Sequence, residues 1–156
     1  MTRDLVNNLQ AGAGLAPAVR TATALSSAFD TLGFESVIAA FHIGTFGDTQ
    51  GTSNYIEAEL QESADNVTYS AVADADVHVS SPASAISGTA TATFFQSKTG
   101  AAAGNVAGLY TVGYKGSKRY LKVNVRMTGT HSTGSPYAVA FFADRKGYRP
   151  NFGNLT

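Results

Sequence analysis

The chain has 156 residues, a formal net charge of zero, 14% charged residues, no cysteine and no tryptophan. That length suits one domain with a sizeable core, and the missing basic excess argues against a nucleic-acid partner, because phosphate binding needs clustered positive charge. Without cysteine there are no disulfides and no thiolate metal sites, so the fold rests on packing alone, as suits a reducing cytosol.

Residues 1–18 read as an N-terminal arm: residues 4–10 can make one or two helical turns, which Ala11-Gly12-Ala13-Gly14 and then Pro17 stop. Asp4, Asn7 and Asn8 interrupt what a signal peptide would keep apolar, and no segment reaches the roughly 18 apolar residues of a membrane span. Export by a cleaved signal and membrane insertion are therefore not expected, and Asn66-Val67-Thr68 is read as a chance sequon.

From residue 19 to residue 143 the chain reads as one antiparallel β-sandwich, of jelly-roll or Ig-like type, with seven to nine strands between turn signals and no convincing long helix. Residues 19–30 alternate loosely. Residues 34–46 are apolar on both faces, which predicts a central strand covered on each side and makes His42 a core or interface residue. Tyr55–Ser63 alternates, with Ile56, Ala58 and Leu60 inward and Tyr55, Glu57, Glu59 and Gln61 outward. A turn at Ser63-Ala64-Asp65-Asn66 leads into a short strand over 67–72. Residues 74–88, polar and small, are expected to be a surface excursion, and 89–96 regain strand character. Residues 109–114 then enter a hairpin at Lys115-Gly116-Ser117-Lys118, followed by the clearest strand of all: Leu121, Val123, Val125 and Met127 alternate with Tyr120, Lys122, Asn124 and Arg126. A Thr/Gly/Ser loop holding His131 and a last strand over 137–143, apolar on both faces, complete the domain. Residues 144–156 read as a polar C-terminal tail with Tyr148, Pro150 and Phe152.

Motifs for chemistry are thin. His42, His78 and His131 lie in no H-E-x-x-H pattern. His131 is either a partner contact or a loop residue bonded to its own backbone. Gly12-Ala13-Gly14 lacks the preceding strand of a dinucleotide site, and there is neither a P-loop nor a Gly-x-Ser-x-Gly elbow. Glu57 and Glu59 share a strand face as glycosidase carboxylates would, but they belong to the outward set and read as solvated. Asp65, Asn66, Asp74 and Asp76 lack the regular spacing of a calcium loop. No catalytic, cofactor or metal residue is assigned, and the chain is expected not to be an enzyme. Tyr55, Tyr69 and Tyr120, with His131, are the candidates for a glycan or partner surface, because aromatic rings on a flat sheet can stack on sugars or on a neighbouring subunit.

The run Leu32-Gly33-Phe34-Glu35-Ser36-Val37, the stretch from Glu59-Leu60-Gln61-Glu62-Ser63 to Tyr69-Ser70-Ala71-Val72, and Lys118-Arg119-Tyr120-Leu121-Lys122-Val123 through Thr128-Gly129-Thr130 resemble small virion proteins encoded beside capsid genes in tailed bacteriophages and gene transfer agents. The resemblance spans roughly residues 19–143 and is structural rather than catalytic; residues 74–88 and the aromatic tail are less typical. It implies a β-sandwich attached to the assembled head as a decoration, cement or spike-base subunit, made in the host bacterial cytoplasm and displayed on the capsid exterior. The implied partners are the major capsid protein and other copies of the chain, as a trimer or pentamer, with no nucleic acid, membrane or cofactor. The arms would make the contacts through Arg3, Leu5, Leu9, Arg145, Tyr148, Arg149 and Phe152. The alternatives are a carbohydrate-binding module on the virion surface and a tail or head-completion component. Low surface charge agrees with a surface that partners cover.

Overall fold

The computed structural model describes residues 8–81, 92–98 and 107–145. They form eleven strands and one 3-10 turn: β1 (Leu9–Arg20), β2 (Ala24–Leu25), β3 (Phe29–Asp30), β4 (Phe34–Ile43), β5 (Tyr55–Ser63), β6 (Ser70–Ala71), the turn Asp74–Asp76, β7 (Val77–Ser81), β8 (Thr93–Gln96), β9 (Gly108–Tyr114), β10 (Tyr120–Thr128) and β11 (Ser135–Arg145). A five-stranded sheet has the order β1-β11-β4-β9-β7; a six-stranded sheet has the order β2-β10-β5-β6, with β3 beside β10 and β8 beside β5. All pairings are antiparallel, and the two sheets pack against each other as an all-β sandwich.

The alternation read from the sequence generates the core. Ile56, Ala58 and Leu60 on β5 and Leu121, Val123 and Val125 on β10 are all fully buried, facing Val37, Ala39, Phe41 and Ile43 of β4. At the centre the ring of Phe41 lies 5.1 Å from that of Phe95 and 5.6 Å from that of Tyr137, and Phe95 meets Tyr110 edge-on at 4.6 Å. Each such aromatic contributes about 1.5–3 kcal/mol by burial, plus an edge-to-face increment of about 1 kcal/mol.

The turn after β5 forms as expected. Asn66 adopts φ 62°, and the Asp65 carboxylate accepts the Val67 and Thr68 amides at 2.9 Å. Those bonds, the Thr68 amide first and then the Val67 amide, hold its pKa down at about 2.

Several expectations change. The arm is shorter than 18 residues, because β1 starts at Leu9 and pairs with β11 from Leu9↔Asp144 to Arg20↔Ser135. Gly12 and Gly14 belong to that pairing: a Cβ on Gly12 would lie 2.9 Å from the Phe29 ring, and one on Gly14 would lie 2.7 Å from Val139. The small residues that read as a helix stop are thus there to admit packed neighbours. Residues 19–30 are not one strand but the end of β1 and two short pairings, β2 and β3, both against β10. Within 74–88, Val77–Ser81 is an edge strand on β9; the remainder lies outside the described residues. Finally, β9 and β10 form no hairpin. They lie in different sheets, and the connection turns a corner of the sandwich, where the Tyr114 hydroxyl donates to Glu62 Oε2 at 2.6 Å and accepts from the Lys118 amide at 2.8 Å. The tail also starts slightly later than residue 144, since β11 runs to Arg145.

Candidate functional site

The sandwich presents two outer faces of opposite character. On the six-stranded sheet, register places Tyr55, Glu57, Glu59, Gln61 and Ser63 of β5 opposite Thr128, Arg126, Asn124, Lys122 and Tyr120 of β10. Tyr69, just before β6, joins this surface, where Lys122 Nζ sits 4.2 Å from its ring centroid. All three tyrosines singled out from the sequence therefore share one side of the sandwich. Each ring already carries a cation: Lys98 over Tyr55 at 5.2 Å, Lys122 over Tyr69, and the Arg119 guanidinium over Tyr120 at 5.1 Å. Arg119 is itself paired with Asp30 at 2.8 Å.

At the middle of this face Glu57 and Glu59 are not solvated, as expected, but 5% and 6% exposed. Arg126 Nη2 lies between them, 3.3 Å from Glu57 Oε2 and 3.1 Å from Glu59 Oε2. The Gln96 side-chain amide donates to Glu57 Oε1, and that of Gln61 donates to Glu59 Oε1 at 2.8 Å. The strand period put both carboxylates on the outer face correctly. Their burial comes from β8, which brings Gln96 opposite Glu57 and Thr93 opposite Glu59, a pairing across more than thirty residues that no local pattern reveals. A buried carboxylate persists when it is paired and hydrogen-bonded, and here the guanidinium holds the place between the two acids that a cation or a substrate would need.

The loops at the end of the sandwich account for one more candidate. His131 is 4% exposed and donates from Nε2 to the Thr128 carbonyl at 3.0 Å. It is the loop residue bonded to its own backbone, which corrects its placement on a glycan or partner surface. Ser132 donates to Asp48 Oδ1 at 3.2 Å, and Asp48 also accepts the Thr133 and Gly134 amides at 3.1 and 2.8 Å. These bonds, the Thr133 amide first, lower the Asp48 pKa and tie the two loops together.

The five-stranded sheet turns a different face outward. His42 belongs to it and is exposed, so it is no core residue. Cross-strand register sorts this face into rows. Ala11, Phe142, Ile38, Gly113 and, on β7, the exposed His78 form one; Ala13, Ala140, Ala40 and Thr111 the next; Ala138, His42 and Leu109 a third. Ile38 is 44% and Leu109 57% exposed. The only charged side chain described on these rows and the flanking row of Leu9, Asp144 and Ser36 is Asp144. An apolar patch of this kind on a folded surface marks a contact site. Sequence reading saw that β4 and β11 are apolar on both faces but named none of these residues as contacts.

Of the proposed arm contacts, Leu9 lies on β1 at the margin of this face, opposite Asp144, and Arg145 ends β11 opposite Phe34. Arg3, Leu5, Tyr148, Arg149 and Phe152 lie outside the described residues. A groove of about 420 Å³ at the corner is lined by Thr31–Glu35 on one side and Gly116–Arg119 on the other; its Arg119 is held by Asp30.

Fold and surfaces together define an all-β sandwich with one polar, cation-capped outer face and one largely apolar outer face with a single described charge. Comparison with protein-family models, curated proteins and solved structures returns no match.

Proposed function

We propose that this chain is a non-enzymatic structural virion protein of a tailed phage, bound to the outside of the capsid as a decoration, cement or head-spike-base subunit. One observation carries the reading: a sandwich whose five-stranded sheet turns outward rows of Ala, Ile, Leu and Phe with one described charge, Asp144, is shaped to be covered. The sequence resemblance supplies the kind of object that would cover it, with the major capsid protein and further copies of the chain as partners. Contacts of modest individual strength suffice when many copies bind one lattice. Leu9 lies at the edge of the face, and the arm residues Arg3, Leu5, Arg145, Tyr148, Arg149 and Phe152 are the further contacts that the sequence resemblance implies.

The test is occupancy on purified particles, read by imaging and by quantitative protein gels. Leu109→Lys, at a site already exposed, keeps the sandwich folded by circular dichroism and is expected to lower occupancy at least tenfold. Wild-type occupancy of the folded variant removes the assignment, and density at the tail or the portal moves the chain to the tail or head-completion reading.

A second reading, a glycan contact on the six-stranded sheet, is favoured by the gathering of Tyr55, Tyr69 and Tyr120 on one side. It ranks second because a cation already lies on each ring. Binding on a glycan array that Tyr69→Ala and Tyr120→Ala abolish would promote it.

A further inference from the structure

We infer that the apolar outer face of the five-stranded sheet is a two-fold interface with a second copy of this chain. The inference rests on the reading of that face as a contact surface and adds what covers it. The row holding Phe142 and Ile38 is a ridge; the adjacent row, Ala140 and Ala40, is a trough, and in it Ala40 is 4% exposed. A two-fold axis lying across the strands, midway between these rows, sets Phe142 of one copy over Ala140 of the other and Ile38 over Ala40. The same rotation does the reverse for the partner's ridge, so both ridges enter troughs. On β11 and β4 the ridge row carries large residues and the trough row carries alanines, and this pair of rows makes the middle of the face complementary to itself, as an isologous contact requires. The next rows follow the same axis: His42 comes over the partner's Ser36, one strand away from the partner's Asp144, the single described carboxylate on the face.

Size and charge agree. Five strands about 4.8 Å apart and four rows of residues give a face of roughly 500 Å², so two copies bury on the order of 1,000 Å², the lower bound for a specific interface. A face with almost no charge meets its own copy without repulsion. Two-fold pairing takes the place of the trimer or pentamer implied by the resemblance.

The experiment is sedimentation velocity on the full chain from 1 to 100 µM. A dimer is expected, and Ile38→Lys and Ala140→Lys are each expected to weaken it at least thirtyfold while circular dichroism stays unchanged. Because the chain has no native cysteine, register can be read directly: a mixture of Ile38→Cys and Ala40→Cys chains should cross-link with a short bismaleimide far better than either alone. A monomer at 100 µM, a trimer or pentamer, or a dimer indifferent to both lysines overturns the inference. So does a full chain that stays monomeric while the chain ending at Arg145 dimerises, which would show that the chain's own last residues cover the face. Particle binding by a monomeric protein would sink this inference and spare the proposed function; a solution dimer absent from particles would do the opposite.

Discussion

Two carboxylates at Glu57 and Glu59 share one guanidinium, and that arrangement fixes what their removal or neutralisation should do. Cutting Arg126 back leaves two buried acids facing each other, whereas converting both acids to amides removes the need for the cation. Arg126 itself is 39% exposed at the side chain, which discounts the loss. Arg126→Met is therefore expected to cost about 2 kcal/mol in urea unfolding, and adding Glu57→Gln and Glu59→Gln should restore most of it. A silent Arg126→Met would mean that the pair is uncoupled. Period-2 reading assigned both acids to the right face and the wrong environment. Their partners Gln96 and Arg126 stand far along the chain, so exposure is set by strand neighbours that spacing does not specify. For His131 the sequence left two outcomes, a partner contact or a loop residue bonded to its own backbone, and the structure gives the second, a bond to Thr128 three residues back.

Strands β5 and β10 were legible singly, because Ile56, Ala58 and Leu60 on one and Leu121, Val123 and Val125 on the other alternate with polar residues without a break. Which sheet a strand joins was not, since alternation tells inside from outside and nothing more. The β9–β10 corner shows the consequence. Tyr114, at the end of β9, reaches Glu62 at the end of β5 and so ties one sheet to the other. Burial first, and then the bond to Glu62, raises the Tyr114 pKa far above the ordinary tyrosine value, and burial pushes Tyr137 up to about 12. An unfolded tyrosine loses its proton near pH 10, while these two keep theirs in the fold. Their contribution is complete below pH 10 and is lost as pH rises beyond it. Denaturant midpoints should therefore fall between pH 9 and pH 12, with phenolate absorbance lagging behind that of an unfolded control. Tyr114→Phe, which removes the tie, is expected to cost about 1–2 kcal/mol at pH 7 and to flatten part of the alkaline slope. An unchanged slope would place the tie elsewhere.

For the molecule as a whole, the two ends of the chain differ, because the expected N-terminal arm holds most of a sheet strand. Removing residues 1–18 takes away most of β1 and uncovers β11 along its length, so thermal unfolding is expected to drop by about 10 °C or more, or the chain to fail to fold. Ending the chain after Arg145 leaves all eleven described strands in place and should shift the midpoint by no more than about 2 °C. Equal tolerance of both deletions would contradict the β1–β11 pairing. That β1 is part of the sheet was hidden because Ala, Gly and Pro weaken strand propensity; the strand exists because β11 and the Phe29 ring need a flat, small-residue neighbour.

The pairing of β1 with β11 also governs the order of events during synthesis. Arg20 and Tyr137, joined by a 3.0 Å hydrogen bond, stand 117 positions apart, and β11 lies between β1 and β4. A nascent chain that has made β1 and β4 can hold neither against the other until β11 emerges, and at roughly 5–20 residues per second that wait lasts several seconds or more. Through that interval the edge of β4 stays open to strangers. Slow, late closure dominated by distant contacts is the expected kinetics, and the crowding of many nascent copies in one cell is when this protein is most exposed to aggregation.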